Sequence, residues 1–201
     1  QINSDLLFEV GTEEAIRRFS STELANLLTG LELELTEPEF EKIKYAVVQS
    51  GVGLDLGNRT NTGTFSESRM SHMISVCAKY GVQSKEHNGD YLTPKEIKKR
   101  YDLGLSAINI APEFGQIETQ CYIEQMSKDE LDIFYEICYA SEKWKKWVAD
   151  DFRPSSDKQK LITICGHYVF ANRQFMDIKP SIDAAVQQKI SDRLVGILDE
   201  Q

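Results

Sequence analysis

No apolar run in this sequence approaches the ~20 residues that a membrane-spanning helix needs. The first residues, Gln1 to Asp5, carry neither a basic segment nor an apolar one, so no secretory leader is legible there. Basic residues are in the minority: 23 Lys and Arg stand against 32 Asp and Glu, a formal net charge of -9. That balance argues against a nucleic-acid partner and against an anionic membrane, since both require clustered Lys and Arg. It leaves room for a phosphorylated small molecule, which needs only a few local donors. The four cysteines, Cys77, Cys121, Cys138 and Cys165, form no CxxC pair, and each lies in an apolar or helical stretch. This argues against a zinc knot or a disulfide framework and fits buried, reduced thiols in a cytoplasmic protein. There is no low-complexity segment, and no internal repeat beyond an alternation of strand, loop and helix.

The alternation itself is clear. Leu6 to Gly11 reads as a short buried strand stopped by glycine, with Thr12-Glu13-Glu14 just beyond it. Ser20-Ser21-Thr22-Glu23 is a capping box that opens a helix with leucines at 24, 27, 28 and 31 behind it. Thr36-Glu37-Pro38-Glu39 opens a shorter one. Tyr45 to Val48 is a second strand, closed by Gln49-Ser50-Gly51. The stretch from Val52 to Thr64 is rich in Gly, Asn and Thr and reads as a long loop of the kind that is often functional. Ser66 caps a helix through about Tyr80. Gly81 to Ser84 leads in as the third strand, and Thr93-Pro94-Lys95-Glu96 starts the next helix. Ala107 to Ile110 is the fourth strand. After Gln116 the pattern is helical only: Gln116 to Met126, Lys128 to Tyr139, Glu142 to Ala149, Lys158 to Phe170 and Ile182 to Leu198. The expected organisation is a portion of four alternating strands and helices over 1–126 and a helical extension over 127–201.

Four strands alternating with helices predict an α/β fold with a parallel sheet. In such a sheet the carboxyl ends of the strands share one edge, where α/β proteins do their chemistry. The polar residues at those ends are therefore the candidate site. Lys85 to Asp90 packs an amine, an acid, an imidazole, an amide, a glycine and another acid between strand and helix. His87 is the leading residue, as metal ligand or proton shuttle, with Asp90 to orient it. Glu13 and Glu9 compete for the first strand end, and Glu13 is the freer of the two. Gln49, Asn88, Asn109 and Glu113 stand where substrate hydroxyls would be bound, although Gln49 and Asn109 equally suit structural hydrogen bonds. Arg17 and Arg18 face phosphate or form a solvated turn. His72 and His167 read as packing or surface residues, and the Trp144-Lys145-Lys146-Trp147 cluster as amphipathic packing.

Three segments carry a resemblance. Val47-Val48-Gln49-Ser50-Gly51-Val52, Glu86-His87-Asn88-Gly89-Asp90-Tyr91 and Gly11-Thr12-Glu13 together resemble the accessory, non-catalytic subunits of tagatose-bisphosphate aldolase. That family is linked to tagatose-6-phosphate 4-epimerase activity and, more distantly, to class II fructose-bisphosphate aldolases. The resemblance covers about Leu7 to Met126. It implies a TIM barrel in which the four strands correspond to the last four of eight, with phosphate held by the loops 88–91 and 111–115. It implies a lyase or epimerase of carbohydrate metabolism acting on a sugar phosphate, with a divalent metal, zinc, that polarises the substrate carbonyl. His87 falls on a metal-ligand position, and Glu13 is the matching acidic residue, as ligand or proton carrier. Two alternatives to a self-sufficient enzyme stand beside it: an accessory subunit that stabilises an aldolase, and a sugar-binding half-barrel module; the expected protein partner is an aldolase subunit or a second copy in a homo-oligomer.

Overall fold

A computed structural model describes residues 6–11, 18–148 and 150–199. The chain divides into two compact units. The first comprises residues up to Leu54 together with Asn61–Ile110; the second comprises Asp55–Thr60 and Ala111 onward. The division falls after Ile110 rather than at 126, so the helix that follows the fourth strand belongs with the helical part.

The first unit is built on a four-stranded sheet. Its strands are β1 (Phe8–Val10), β2 (Ile43–Val48), β5 (Gln83–Glu86) and β6 (Ala107–Ile108), in spatial order β1-β2-β5-β6. Every neighbouring pair is parallel, with Val10 opposite Ala46, Val48 opposite Glu86, and Glu86 opposite Ile108. This is the parallel sheet that the strand–helix alternation predicts. Helices α1 (Ser21–Glu34), α2 (Glu37–Phe40), α3 (Glu67–Lys79) and α4 (Pro94–Asp102) make the connections. Ser20 and Thr93 each accept a hydrogen bond from the amide three residues on, while Glu23 and Glu96 reach back to the cap amide. Each such cap contributes ~1 kcal/mol by satisfying donors that the first helical turn leaves open.

Alternation along the strands sorts their side chains onto two faces. Val10, Ala46, Val48 and Ile108 pack with Leu24 and Leu28 of α1 and Met70, Met73 and Cys77 of α3. Each of those fully buried leucines contributes about 1.5–3 kcal/mol by leaving water. Glu9, Tyr45, Val47, Lys85 and Ala107 therefore line the opposite face.

The stretch from 52 to 64 is not the structureless loop its composition suggests. It folds as a hairpin of β3 (Val52–Asp55) and β4 (Thr60–Gly63). Gly51 and Gly63 close its base: both have positive φ, 103° and 79°, and a Cβ on either would lie 2.5 Å or less from the backbone of the other side. Only glycine tolerates that approach in that conformation.

The second unit holds α5 (Pro112–Gln125), α6 (Lys128–Ser141), α7 (Lys158–Cys165), α8 (Arg173–Ile178) and α9 (Asp183–Leu198). Tyr122, Phe134, Phe170 and Phe175 form an aromatic cluster with ring centroids 4.6–5.3 Å apart. Gln116 Nε2 donates to both Leu56 O and Thr163 O at 2.9 Å, tying the hairpin tip to α5 and α7. The segment expected to be a helix over 142–149 is instead a 3₁₀ turn at Lys145–Trp147, because Glu142 adopts φ 57° and ends α6. The helix expected over 158–170 stops at Cys165 and continues as a 3₁₀ turn, Gly166–Tyr168. Among the described residues no helix is long and apolar enough to cross a membrane.

α5 and the turn at 166–168 approach closely. A Cβ on Gly115 would stand 2.7 Å from His167 Cβ, and one on Gly166 would stand 2.9 Å from Phe134 Cζ. Burial, helped by the Lys146 charge, pushes the His167 imidazole down from 6.5 to about 4. The neutral ring is thus the one that folds. Its contribution to stability is complete above pH 6.5 and is lost as pH falls toward 4. Urea midpoints measured at pH 7.5 and pH 5 should therefore differ more for the wild type than for His167→Gln.

Candidate functional site

The exposed face of the sheet gathers a charged cluster. Lys85 Nζ lies 2.6 Å from Glu9 Oε2, and His87 Nε2 pairs with Glu9 Oε1. Glu9 belongs to β1 and Lys85 to β5, so the carboxylate reaches diagonally across β2. Lys85 and His87 are two residues apart, which is why a strand directs both to one side. Lys85 Nζ also sits 5.0 Å from the centroid of the Tyr45 ring, in the range of a cation–π contact. The three side chains are 19–28% exposed, enough for a small molecule to touch each one.

Burial works to raise the Glu9 carboxyl, but Lys85 and His87 outweigh it and hold the group below the usual carboxylate range. An ionised carboxylate oxygen only accepts, so Nε2 of His87 carries the hydrogen. The set comprises an oriented imidazole, an anion that fixes its tautomer and a neighbouring ammonium.

The loop after His87 is fixed from two sides. Asn61 on β4 donates to Asn88 O at 2.8 Å and to Asp90 O at 3.3 Å, and Asn88 Nδ2 donates back to Val52 O at 2.9 Å. Gly89 N donates to Asn109 O, and Asn109 N donates to Glu86 O. The hairpin thereby acts as a brace for the residues beside His87. Gly89 has no room for a side chain: a Cβ would stand 2.6 Å from Ile108 Cγ1 and 2.7 Å from Asn109 O. Gly89→Ala should cost about 1–3 kcal/mol by overpacking, read as a lower urea midpoint, and should displace the brace from His87.

Several residues expected at the site are held by structural bonds. Gln49 is 1% exposed; its Oε1 accepts from Phe19 N at 2.9 Å and Arg69 Nη2 at 3.0 Å. Asp90, expected to orient His87, is fully buried. Asn88 spends its amide on the hairpin. Asn109 lies one residue past β6, opposite His87 by extension of the register, and its main chain is part of the brace. Glu113 sits in the second unit, in the first turn of α5, paired through both oxygens with Arg193 at 2.6 and 3.3 Å. Glu13 and Arg17 lie outside the described residues.

Behind the sheet, facing the helices, is a buried ion pair. Arg100 Nε on α4 lies 2.5 Å from Glu86 Oε2, Ser50 Oγ donates to Glu86 Oε1, and both charged side chains are 2% exposed. Burial pushes the Glu86 carboxyl up, opposed by Arg100 and Ser50. The Phe65 ring covers the guanidinium, 4.2 Å from Cζ to ring centroid. This pair sets the end of β5 from which His87 projects.

Of the two expected metal ligands, His87 lies within the described residues and Glu13 does not. Among the described residues no three His, Cys, Asp or Glu side chains stand together. His87 and Glu9 are two donors, and the Lys85 ammonium already occupies one oxygen of Glu9 and would repel a cation. The arrangement fits proton handling. Comparison with protein-family models and with curated proteins finds no match.

Proposed function

We propose that this chain is the carboxyl-terminal half of a (β/α) barrel that transfers protons on a phosphorylated ketose, in the manner of an aldolase or epimerase. The reading rests on one observation: Glu9, Lys85 and His87 meet on the exposed face of a parallel sheet. The His87 imidazole removes a proton, either from the carbon beside the carbonyl or from the hydroxyl whose loss of a proton breaks the carbon–carbon bond. Glu9 keeps the ring in the required tautomer and stabilises the imidazolium that forms. The Lys85 ammonium places positive charge beside the developing enediolate oxygen. Returning the proton to the opposite face of the carbon gives an epimer; departure of the aldehyde gives cleavage.

The barrel is supported by the parallel order and by the state of its edge. β1 is an outer strand, and Leu6 and Leu7 before it and Phe8 at its start are 47, 61 and 45% exposed. An apolar groove of Phe8, Val10, Leu31, Leu35 and Ile43 runs along it. A parallel sheet is normally covered, and an edge of this kind invites further strands. The same edge favours a second reading, an accessory subunit that stabilises a catalytic aldolase chain. The two separate in one experiment. The protein carrying this chain is assayed with ketohexose phosphates, alone and with a co-purified aldolase subunit, as wild type and as His87→Ala. Turnover abolished by His87→Ala supports the catalytic reading. Partner activity that rises equally with either form supports the accessory one.

A further inference from the structure

A cavity of the second unit, remote in sequence from the residues of the proton-transfer site, carries an inference of its own. It has a volume of about 250 Å³ and is lined in part by Asp55, Asn58, Trp147, Asp151, Phe152 and Lys160. We propose that it binds a single neutral sugar ring.

Two aromatic residues supply apolar walls. Trp144 packs against Phe152 with centroids 6.0 Å apart and helps fix it, and Lys146 Nζ lies 4.6 Å over the Trp147 ring. Asp55 accepts from Asn58 N at 2.8 Å and Asn58 Nδ2 at 2.7 Å, so it fixes Asn58 and leaves the amide oxygen of that residue as an acceptor. The Lys160 stem crosses Gly57: its Cε is 3.1 Å from where a Cβ would stand. Glycine at 57 thus makes room for the lysine.

The charges decide the class of ligand. Lys160 and Asp151 line the same cavity, yet neither charged group has an ionic or hydrogen-bond partner among the described residues. An ammonium and a carboxylate that face one space without meeting are bridged by groups that both donate and accept, and the hydroxyl is such a group. An anion would be opposed by Asp55 and Asp151, and a cation by Lys160. A polyol brings no charge to desolvate, and the C–H face of its ring packs on Trp147 and Phe152. The volume lies below the ~300–1,000 Å³ of sites for larger ligands, which limits the occupant to about one ring.

The test is saturation-transfer NMR on the full chain, titrated with D-glucose, D-galactose and D-mannose, and with glycine and leucine as zwitterionic comparators. A pyranose should saturate with Kd in the millimolar range, as expected for a dozen non-hydrogen atoms at ~0.3 kcal/mol each. Asp151→Asn and Lys160→Met, both with unchanged circular dichroism, should each weaken binding about tenfold, one charged hydrogen bond's worth. Intrinsic tryptophan fluorescence of the wild type should change along the same isotherm. The proposal is overturned if no pyranose saturates at tens of millimolar, if neither substitution weakens binding, or if an amino acid displaces the sugar. Failure here leaves the reading of the Glu9–Lys85–His87 site untouched, because that site is tested by turnover.

Discussion

Glu9→Gln is expected to lower turnover of a ketose phosphate about 10²- to 10⁴-fold, chiefly in kcat, while the protein remains folded. The neutral amide offers His87 either a donor or an acceptor, so the tautomer is no longer fixed, and it cannot stabilise an imidazolium. It also leaves Lys85 without its carboxylate partner. A merely structural role for Glu9 would shift stability and KM with little change in kcat, so steady-state kinetics on a folded variant distinguish the two. The pH dependence has a definite sign. Because the Glu9 carboxyl is held below its ordinary value of 4.5, the ionised form that binds Lys85 and His87 is complete above that value. The cluster is lost only as pH falls through the lowered value. Glu9 therefore stays a carboxylate across the neutral range, and the proton moves on the imidazole.

Arg100→Met is expected to destabilise the protein by about 3–5 kcal/mol, since it removes the counter-ion from a fully buried carboxylate. Burial already pushes the Glu86 carboxyl up; without Arg100 it rises further. A raised carboxyl contributes stability below its unfolded pKa and loses it as pH climbs through the folded one. The variant should thus be more stable at pH 5 than at pH 8. Adding Glu86→Gln should recover much of the loss at pH 8, because the amide carries no charge to desolvate. Urea denaturation of the single and double variants at both pH values makes the measurement. Equal stability of Arg100→Met and wild type at pH 8 would show that the pair is not what anchors the end of β5.

Much of the scaffold was legible because its signals are local. The boxes Ser20-Glu23, Thr93-Glu96 and Ser127-Glu130 are four-residue patterns, and each forms the reciprocal cap that its spacing predicts. The strands around 45–48 and 107–108 are short apolar runs between punctuating residues, and their parallel pairing follows from the helices between them. The hairpin at 52–63 was not legible: Thr60-Asn61-Thr62-Gly63 has no apolar alternation to mark a strand. It is specified by Gly51 and Gly63, whose close approach is a tertiary fact.

The site shows the same divide. His87 and the loop after it stand out as a run of polar groups at a strand end. Glu9 stands out only as one of two acids competing for the first strand end, because its reach across β2 joins residues 78 positions apart. The spacing of Lys85 and His87, two residues apart in a strand, was the available signal for adding Lys85. Gln49 and Glu113 look like rim residues in the sequence, yet their partners Arg69 and Arg193 are 20 and 80 residues away. No local pattern announces such bonds.

The central claim is that an imidazole held by Glu9 takes a proton from a ketose phosphate. The direct test is deuterium exchange in D₂O. Proton NMR follows the carbon-bound hydrogens of tagatose 6-phosphate and fructose 6-phosphate in the presence of the protein that carries this chain. The account predicts that a hydrogen on a carbon adjacent to the carbonyl is replaced by deuterium, or that the enediolate carbon released by cleavage takes up a deuteron, with the wild type and not with His87→Ala. Absence of exchange with the wild type, or equal exchange with the variant, would contradict it.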